Sequence, residues 1–290
     1  MSEWDKVIRR VEAVLARVEG VLPAPAAPTD WKSIAYRWRK RGGRGALEAV
    51  GHVHKIALTD LCGIDRQKKI VEQNTRQFVE GHPANNVLLT GARGTGKSSL
   101  IKALLNKYAS RGLRVIEVEK QDLVDLPEIV ELIAARPERF VLYCDDLSFE
   151  ADEPGYKALK VVLDGSVAAA SENCLIYATS NRRHLMPEYM SENLEAKRVD
   201  DEIHPGETVE EKISLSERFG VWVSFYPFDQ DEYLAIVAQW LGHFKVSGAN
   251  SDAVRHAALQ WALQRGSRSG RVAWQFARDW AGRSRAARGK

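Results

Sequence analysis

The chain has 290 residues, 44% of them hydrophobic and 28% charged, with a formal net charge of +3. That is the balance of a soluble globular protein with room for one large domain or two modest ones. No apolar run approaches the ~20 residues of a membrane span, Met1 to Lys6 lack the apolar stretch of a secretory signal, and Cys62, Cys144 and Cys174 include no C-x-x-C pair. Sparse, odd-numbered cysteines argue against disulfides and against a zinc site, so a cytoplasmic protein that crosses no membrane is expected.

In chain order, residues 5–22 read as an amphipathic helix, because Val7, Ile8, Val11, Val14, Leu15, Val18 and Leu22 recur at steps of three and four. Pro23-Ala24-Pro25-Ala26-Ala27-Pro28 breaks it as a stiff linker. Thr29-Asp30 suits the cap of a second helix with Trp31, Ile34, Ala35 and Trp38 as its stripe, and glycines 42, 43 and 45 loosen the chain after it. Residues 1–55 are therefore expected to be a helical accessory segment. From residue 56 to 228 buried strands and helices alternate. Strands are expected over 86–90, 114–119, 140–144, 174–181 and 221–225, and helices over 65–79, 98–109, 126–135 and 156–169. This alternation predicts an α/β fold with a five-stranded parallel sheet flanked by helices. Residues 229–290 turn wholly helical, over 229–244, 251–264 and 270–281, and form a smaller C-terminal helical lid with a basic tail.

The most informative segment is Gly91-Ala92-Arg93-Gly94-Thr95-Gly96-Lys97-Ser98, followed by Ser99. It matches G-x-x-x-x-G-K-[ST], with a strand pattern before it and a helix pattern after it. Glycines let the backbone curl until its N–H groups point at phosphate oxygens, and the helix start adds unpaired N–H groups and partial positive charge. Lys97 suits the β/γ-phosphates and the Ser98 hydroxyl suits Mg²⁺, so ATP with Mg²⁺ is the expected ligand. The apolar run 140–144 ends in Asp145-Asp146, at the carboxyl edge where α/β sheets open their ligand crevice. Asp145 fits a water-mediated Mg²⁺ contact, and Asp146 fits the residue that orients or deprotonates the attacking water. Asn181 ends the next apolar run, where an amide can meet the γ-phosphate or the water; Asn is also a common turn former.

In this order the residues resemble an AAA+ ATPase from about Leu58 to Ala281. The resemblance implies a sheet of order 5-1-4-3-2 in which the Asn181 strand lies between the other two site strands. It makes Gly91–Ser98 the Walker A loop, Asp145 and Asp146 the Walker B pair, and Asn181 sensor 1. Arg218, in Ser216-Glu217-Arg218-Phe219-Gly220, becomes the arginine finger, because that segment is similar to the finger motif of bacterial replication initiators. Arg271, in Ser269-Gly270-Arg271-Val272, becomes sensor 2, and Leu61-Cys62-Gly63-Ile64-Asp65 resembles the adenine-side motif, bringing Leu61, Gly63 and Ile64 to the base. More narrowly, segments 142–150, 177–185 and 203–207 look like the bacterial AAA+ group DUF815. One departure is Asp146, where the family usually has Glu; Glu150 is the nearby alternative base.

The reading is an AAA+ ATPase that binds and hydrolyses MgATP at the interfaces of a homo-oligomer to remodel a macromolecular client. The alternatives are a nucleotide-gated binding module with little hydrolysis, or a P-loop kinase. Two basic clusters, Lys32, Arg37, Arg39, Lys40, Arg41 and Arg44, then Arg265, Arg268, Arg271, Arg278, Arg283, Arg285, Arg288 and Lys290, admit a nucleic-acid partner or a plain solvated surface. His184 and His204 have no ligand-spaced partners, and the lid tryptophans Trp240, Trp261, Trp274 and Trp280 read as core.

Overall fold

The first expected helix is α1 (Glu3–Val21). The second is replaced by a β-hairpin, β1 (Ala35–Arg41) and β2 (Arg44–Ala49). The apolar spacing of Trp31, Ile34, Ala35 and Trp38 suits a helix. Tyr36 and Trp38, however, also alternate with Arg37 and Arg39 at the period of a strand. Tertiary structure decides between the two. β1 pairs in parallel with β4 (Leu113–Glu117), setting Arg37 opposite Glu117. Arg37 Nε then lies 2.6 Å from Glu117 Oε2, and two residues on Arg39 Nη1 lies 2.5 Å from Glu119 Oε1. The other face buries Tyr36 and Trp38, and the Trp38 indole donates to Asp125 Oδ2 at 2.9 Å. A Cβ on Gly45 would lie 1.8 Å from Trp38 Cζ2, so the hairpin needs glycine there for the ring to cross.

The computed structural model describes residues 3–21, 29–41, 43–149, 153–164, 172–181, 185, 197–199, 202–204 and 215–288. The Pro-rich linker, Glu150, residues 182–184 and most of 186–214 lie outside them.

After the hairpin come α2 (Asp65–Val79), β3 (Val87–Gly91) and α3 (Lys97–Tyr108). Beyond β4 follow α4 (Leu126–Ala134), β5 (Arg139–Cys144), α5 (Pro154–Asp164) and β6 (Cys174–Ser180). The short pair β7 (Lys197–Val199) and β8 (Glu202–His204) forms its own two-stranded sheet, and β9 (Val221–Phe225) closes the α/β part. The described part of the helix expected over 156–169 ends at Asp164.

The main sheet runs β2-β1-β4-β5-β6-β3-β9, parallel throughout except for the hairpin. Numbered as the sequence pattern predicts them, its parallel core is 5-1-4-3-2. The two further strands of the hairpin lengthen it at the β4 edge. Val87, Leu88 and Leu89 are fully buried, as are Phe140, Leu142 and Cys144, which is why these strands read as unbroken apolar runs. Burial also pushes the Cys144 thiol up to about 12, so it is an inert core residue.

The lid comprises α6 (Gln230–His243), α7 (Asp252–Gln264) and α8 (Gly270–Arg288). α6 starts at a capping box in which Glu232 N donates to Asp229 Oδ1 at 2.8 Å and Asp229 N donates to Glu232 Oε2 at 2.9 Å. Buried Tyr233, Val237 and Phe276 of the lid continue the core cluster that holds Leu89, Leu100 and Phe225 of the α/β part, with Trp261 and Trp280 packed against the Phe276 ring. Among the described residues no helix is long and apolar enough to cross a membrane.

Candidate nucleotide-binding site

β3 delivers the glycine-rich loop to the carboxyl edge of the sheet, and α3 carries it away. Gly94 and Gly96 have φ of +75° and +100°, backbone that side chains rarely tolerate. A Cβ on Gly94 would also lie 2.8 Å from Ser269 Oγ, and Gly270 N donates to Gly94 O at 2.9 Å. The start of α8 thus sits directly on the glycine-rich loop. The cleft between sheet and lid holds ≈ 630 Å³.

Lys97 folds back over its own loop. Its ammonium donates to Gly91 O at 2.7 Å, Ala92 O at 2.8 Å and Asn181 Oδ1 at 3.1 Å. Burial pushes its pKa down, while Asp145 and Asp146 pull it back up. Ser98 Oγ donates to Asp145 Oδ1 at 2.8 Å, and the Thr179 hydroxyl donates to the same oxygen at 2.5 Å. Burial alone would raise the Asp145 carboxyl, but the surrounding hydroxyls of Thr179, Tyr143 and Ser98 favour the anion and hold it below the usual carboxylate range.

Asp146 adopts φ +53° in the left-handed region, with its N–H donated to Thr179 Oγ1 at 2.9 Å. Asp is among the residues that tolerate this conformation. The turn aims its side chain into the cleft, where Oδ1 accepts from Asn181 Nδ2 and Oδ2 lies 3.9 Å from Arg93 Nη2. Asn181, just past the end of β6, therefore bridges Lys97 and Asp146.

Arg93, Gly94, Thr95, Gly96, Lys97, Ser98, Ser99, Asp145, Asp146, Asn181, Leu61, Ile64 and Arg271 all line the cleft. Gly91 and Ala92 lie behind it and hold Lys97 through their carbonyls. Gly63 (φ +74°) lies against the Phe228 ring, 2.9 Å from where a Cβ would stand. Arg218 is not in its own chain's cleft; its Nε lies 2.5 Å from Asp164 Oδ1 at the end of α5.

Several lining residues were not foreseen. Trp240 of α6 and Trp274 of α8, expected in the core, both face the cleft, and Phe228, Ile236 and Cys62 join them. Trp274 stands three residues after Arg271 on one helix, so the same face carries both. That spacing was the available signal. The role of Thr179 was not singled out, although its place on the polar tip of β6 hinted at it.

Residues 31–284 match the family described as "Protein of unknown function (DUF815)". The chain belongs to the DUF815 family. No curated protein matches the sequence. Solved structures with a similar fold include the Thermotoga maritima RuvB Holliday junction branch migration motor, at 14% identity and TM-score 0.48, covering 78% of this DUF815 chain and 64% of that one. The replication initiator DnaA bound to AMPPCP and single-stranded DNA aligns at 18% identity and TM-score 0.47, over 73% and 60% of the two chains. A chain of the E. coli MS115-1 HORMA:CdnC:Trip13 complex aligns at 12% identity and TM-score 0.46, over 77% and 90%. The DUF815 chain thus spans less than two thirds of the RuvB and DnaA chains that it matches.

Proposed function

We propose that this DUF815 protein is an AAA+ ATPase that binds MgATP between sheet and lid and hydrolyses it at the interfaces of a homo-oligomer. The observation that carries the reading is the convergence of Lys97, the Ser98–Asp145 pair, Asp146 and Asn181 at one sheet edge, beneath Arg271. The donor set fits the ligand. A hydroxyl and a depressed carboxylate 2.8 Å apart suit a hard cation that takes oxygen ligands and keeps several waters. Ser98 and Asp145 would hold Mg²⁺, which when bound neutralises charge on the β- and γ-phosphates.

The chain's own residues supply the rest. The loop N–H groups and Lys97 hold phosphate oxygens, so Lys97 exchanges its loop carbonyls for them. Asn181, already between Lys97 and Asp146, positions the attacking water, and Asp146 accepts its proton. Leu61, Ile64, Trp240 and Trp274 give the cleft apolar lining suited to the base. Arg218 of a neighbouring subunit completes the charge. A steady-state phosphate-release assay against protein concentration tests this; turnover independent of concentration would remove the interface from the mechanism.

Lys97→Ala is expected to weaken ATP binding about 10-fold or more, since a charge-assisted contact contributes ~1.5–3 kcal/mol and 1.4 kcal/mol is tenfold. Titration of a folded variant with a fluorescent ATP analogue checks it, and unchanged affinity would sink the site assignment.

A second reading, a nucleotide-gated binding module with little hydrolysis, draws on Asp146. Its side chain is a methylene shorter than Glu and is engaged by both Asn181 and Arg93.

A nucleic-acid client is the weaker proposal. Arg37, Arg39 and Lys40 are paired with Glu117, Glu119 and Asp125. In the second cluster Arg265 and Arg278 lie over the rings of Trp261 and Trp274, and Arg283 pairs with Asp279. Replacing Arg37 and Arg39 by Gln is expected to leave duplex affinity and its salt dependence unchanged. A log–log salt slope shallower by about 0.9 per charge would return this strand to a nucleic-acid interface.

A further inference from the structure

Every described side chain of α1 is exposed. Trp4, Val7, Ile8, Val11, Val14 and Leu15 are each more than half exposed, and all lie on one stripe. A soluble helix with so apolar a face requires a surface to cover it. With Trp4 and Val11 at heptad position a, Val7 and Val14 fall at d, and Ile8 and Leu15 at e; the sequence continues with Val18 at a and Val21 at d. The two borders of the stripe differ in charge. Asp5 and Glu12 occupy b on one side, and Arg10 and Arg17 occupy g on the other.

This asymmetry selects the partner. Two antiparallel copies would set b against b and g against g, like charge facing like. Parallel copies related by rotation about a common axis set the acidic border of one helix against the basic border of the next. We propose that α1 packs with α1 of neighbouring subunits in a parallel cyclic bundle, acidic border to basic border. Valine at every d position and at a after Trp4, with a third apolar position per heptad, makes the face wider than a two-helix seam, so the bundle has three or more helices. An anionic lipid surface fits poorly, because residues 3–17 carry four basic and three acidic side chains in near balance. The proposal rests on the homo-oligomer reading above. A helix of 19 residues is marginal as an isolated bundle, and tethering to assembling nucleotide-binding domains raises its effective concentration.

The test uses the full chain with MgATP. Val14→Cys places a thiol at the bundle axis, and Arg9→Cys places one on the outer face. On oxidation Val14→Cys is expected to give disulfide-linked chains at least several-fold faster than Arg9→Cys. In sedimentation, Asp5→Arg with Glu12→Arg is expected to move assembly to several-fold higher concentration, and adding Arg10→Glu and Arg17→Glu to restore it. Equal cross-linking at the two positions, or no recovery on charge exchange, overturns the proposal. Assembled oligomers without the Val14 cross-link would refute the bundle alone. A chain that stays monomeric with MgATP would refute the oligomer as well. Binding of the parent to phosphatidylserine vesicles that Leu15→Asp abolishes, with oligomer assembly unaffected, would replace the bundle by a membrane surface.

Discussion

Arg218→Ala is expected to bind MgATP nearly as the parent does and to lose turnover by about 10³-fold or more, the range of an arginine finger. Arg218 precedes β9, the edge strand of the main sheet, and stays out of its own cleft. It pairs with Asp164, at side-chain exposures of 22% and 44%. Such a pair contributes about 0–1 kcal/mol, so leaving it for a neighbour's γ-phosphate costs little. Asp164→Asn, which removes that ion pair, is therefore expected to keep activity. Mixing Arg218→Ala with Lys97→Ala is the decisive measurement. Some interfaces then pair an intact loop with an intact arginine, and the rate should rise above both parents and peak at an intermediate ratio. A rate that follows the sum of the two inactive parents would mean that Arg218 acts within its own subunit or not at all.

Asp146→Asn is expected to keep MgATP affinity and to lower turnover by about 10²–10⁴-fold, the usual contribution of a positioned general base. The amide is nearly isosteric and its one oxygen can still accept from Asn181, but it loses the charge facing Arg93 and cannot accept the water's proton. Asp146→Glu is expected to keep or raise turnover, because the added methylene extends the carboxylate towards the water. Single-turnover phosphate release, alongside binding of a non-hydrolysable ATP analogue, separates the two effects. Normal turnover in Asp146→Asn together with its loss in Glu150→Gln would transfer the role to Glu150.

The parallel core and the tight glycine-rich turn after β3 were legible because their signals are local. A strand buried on both faces must be apolar without interruption, as at Val87 to Leu89 and Phe140 to Cys144. The loop's glycines are demanded by its own backbone: Gly94 and Gly96 sit at φ values that few other residues adopt. Asp145, Asp146 and Asn181 could be picked out because strand ends in such a sheet open on one edge.

What failed in the sequence were features set by distant partners. Trp31 to Trp38 carries a pattern compatible with both helix and strand. The free edge of β4, with Glu117 and then Glu119 presented to Arg37 and Arg39, decided for the strand. The same pairing sets Arg37 and Arg39 of the first basic cluster against carboxylates. Trp240 and Trp274 have the spacing of core residues, and only the placing of α6 and α8 against the loop sends them to the cleft. By itself the sequence determined the order of buried strands, the lid and the residues of the loop, since each follows from the chemistry of a short segment. The tertiary structure alone decided the hairpin, the tryptophans that line the cleft and the contact of Arg218 with Asp164, since each depends on which distant surface the fold presents.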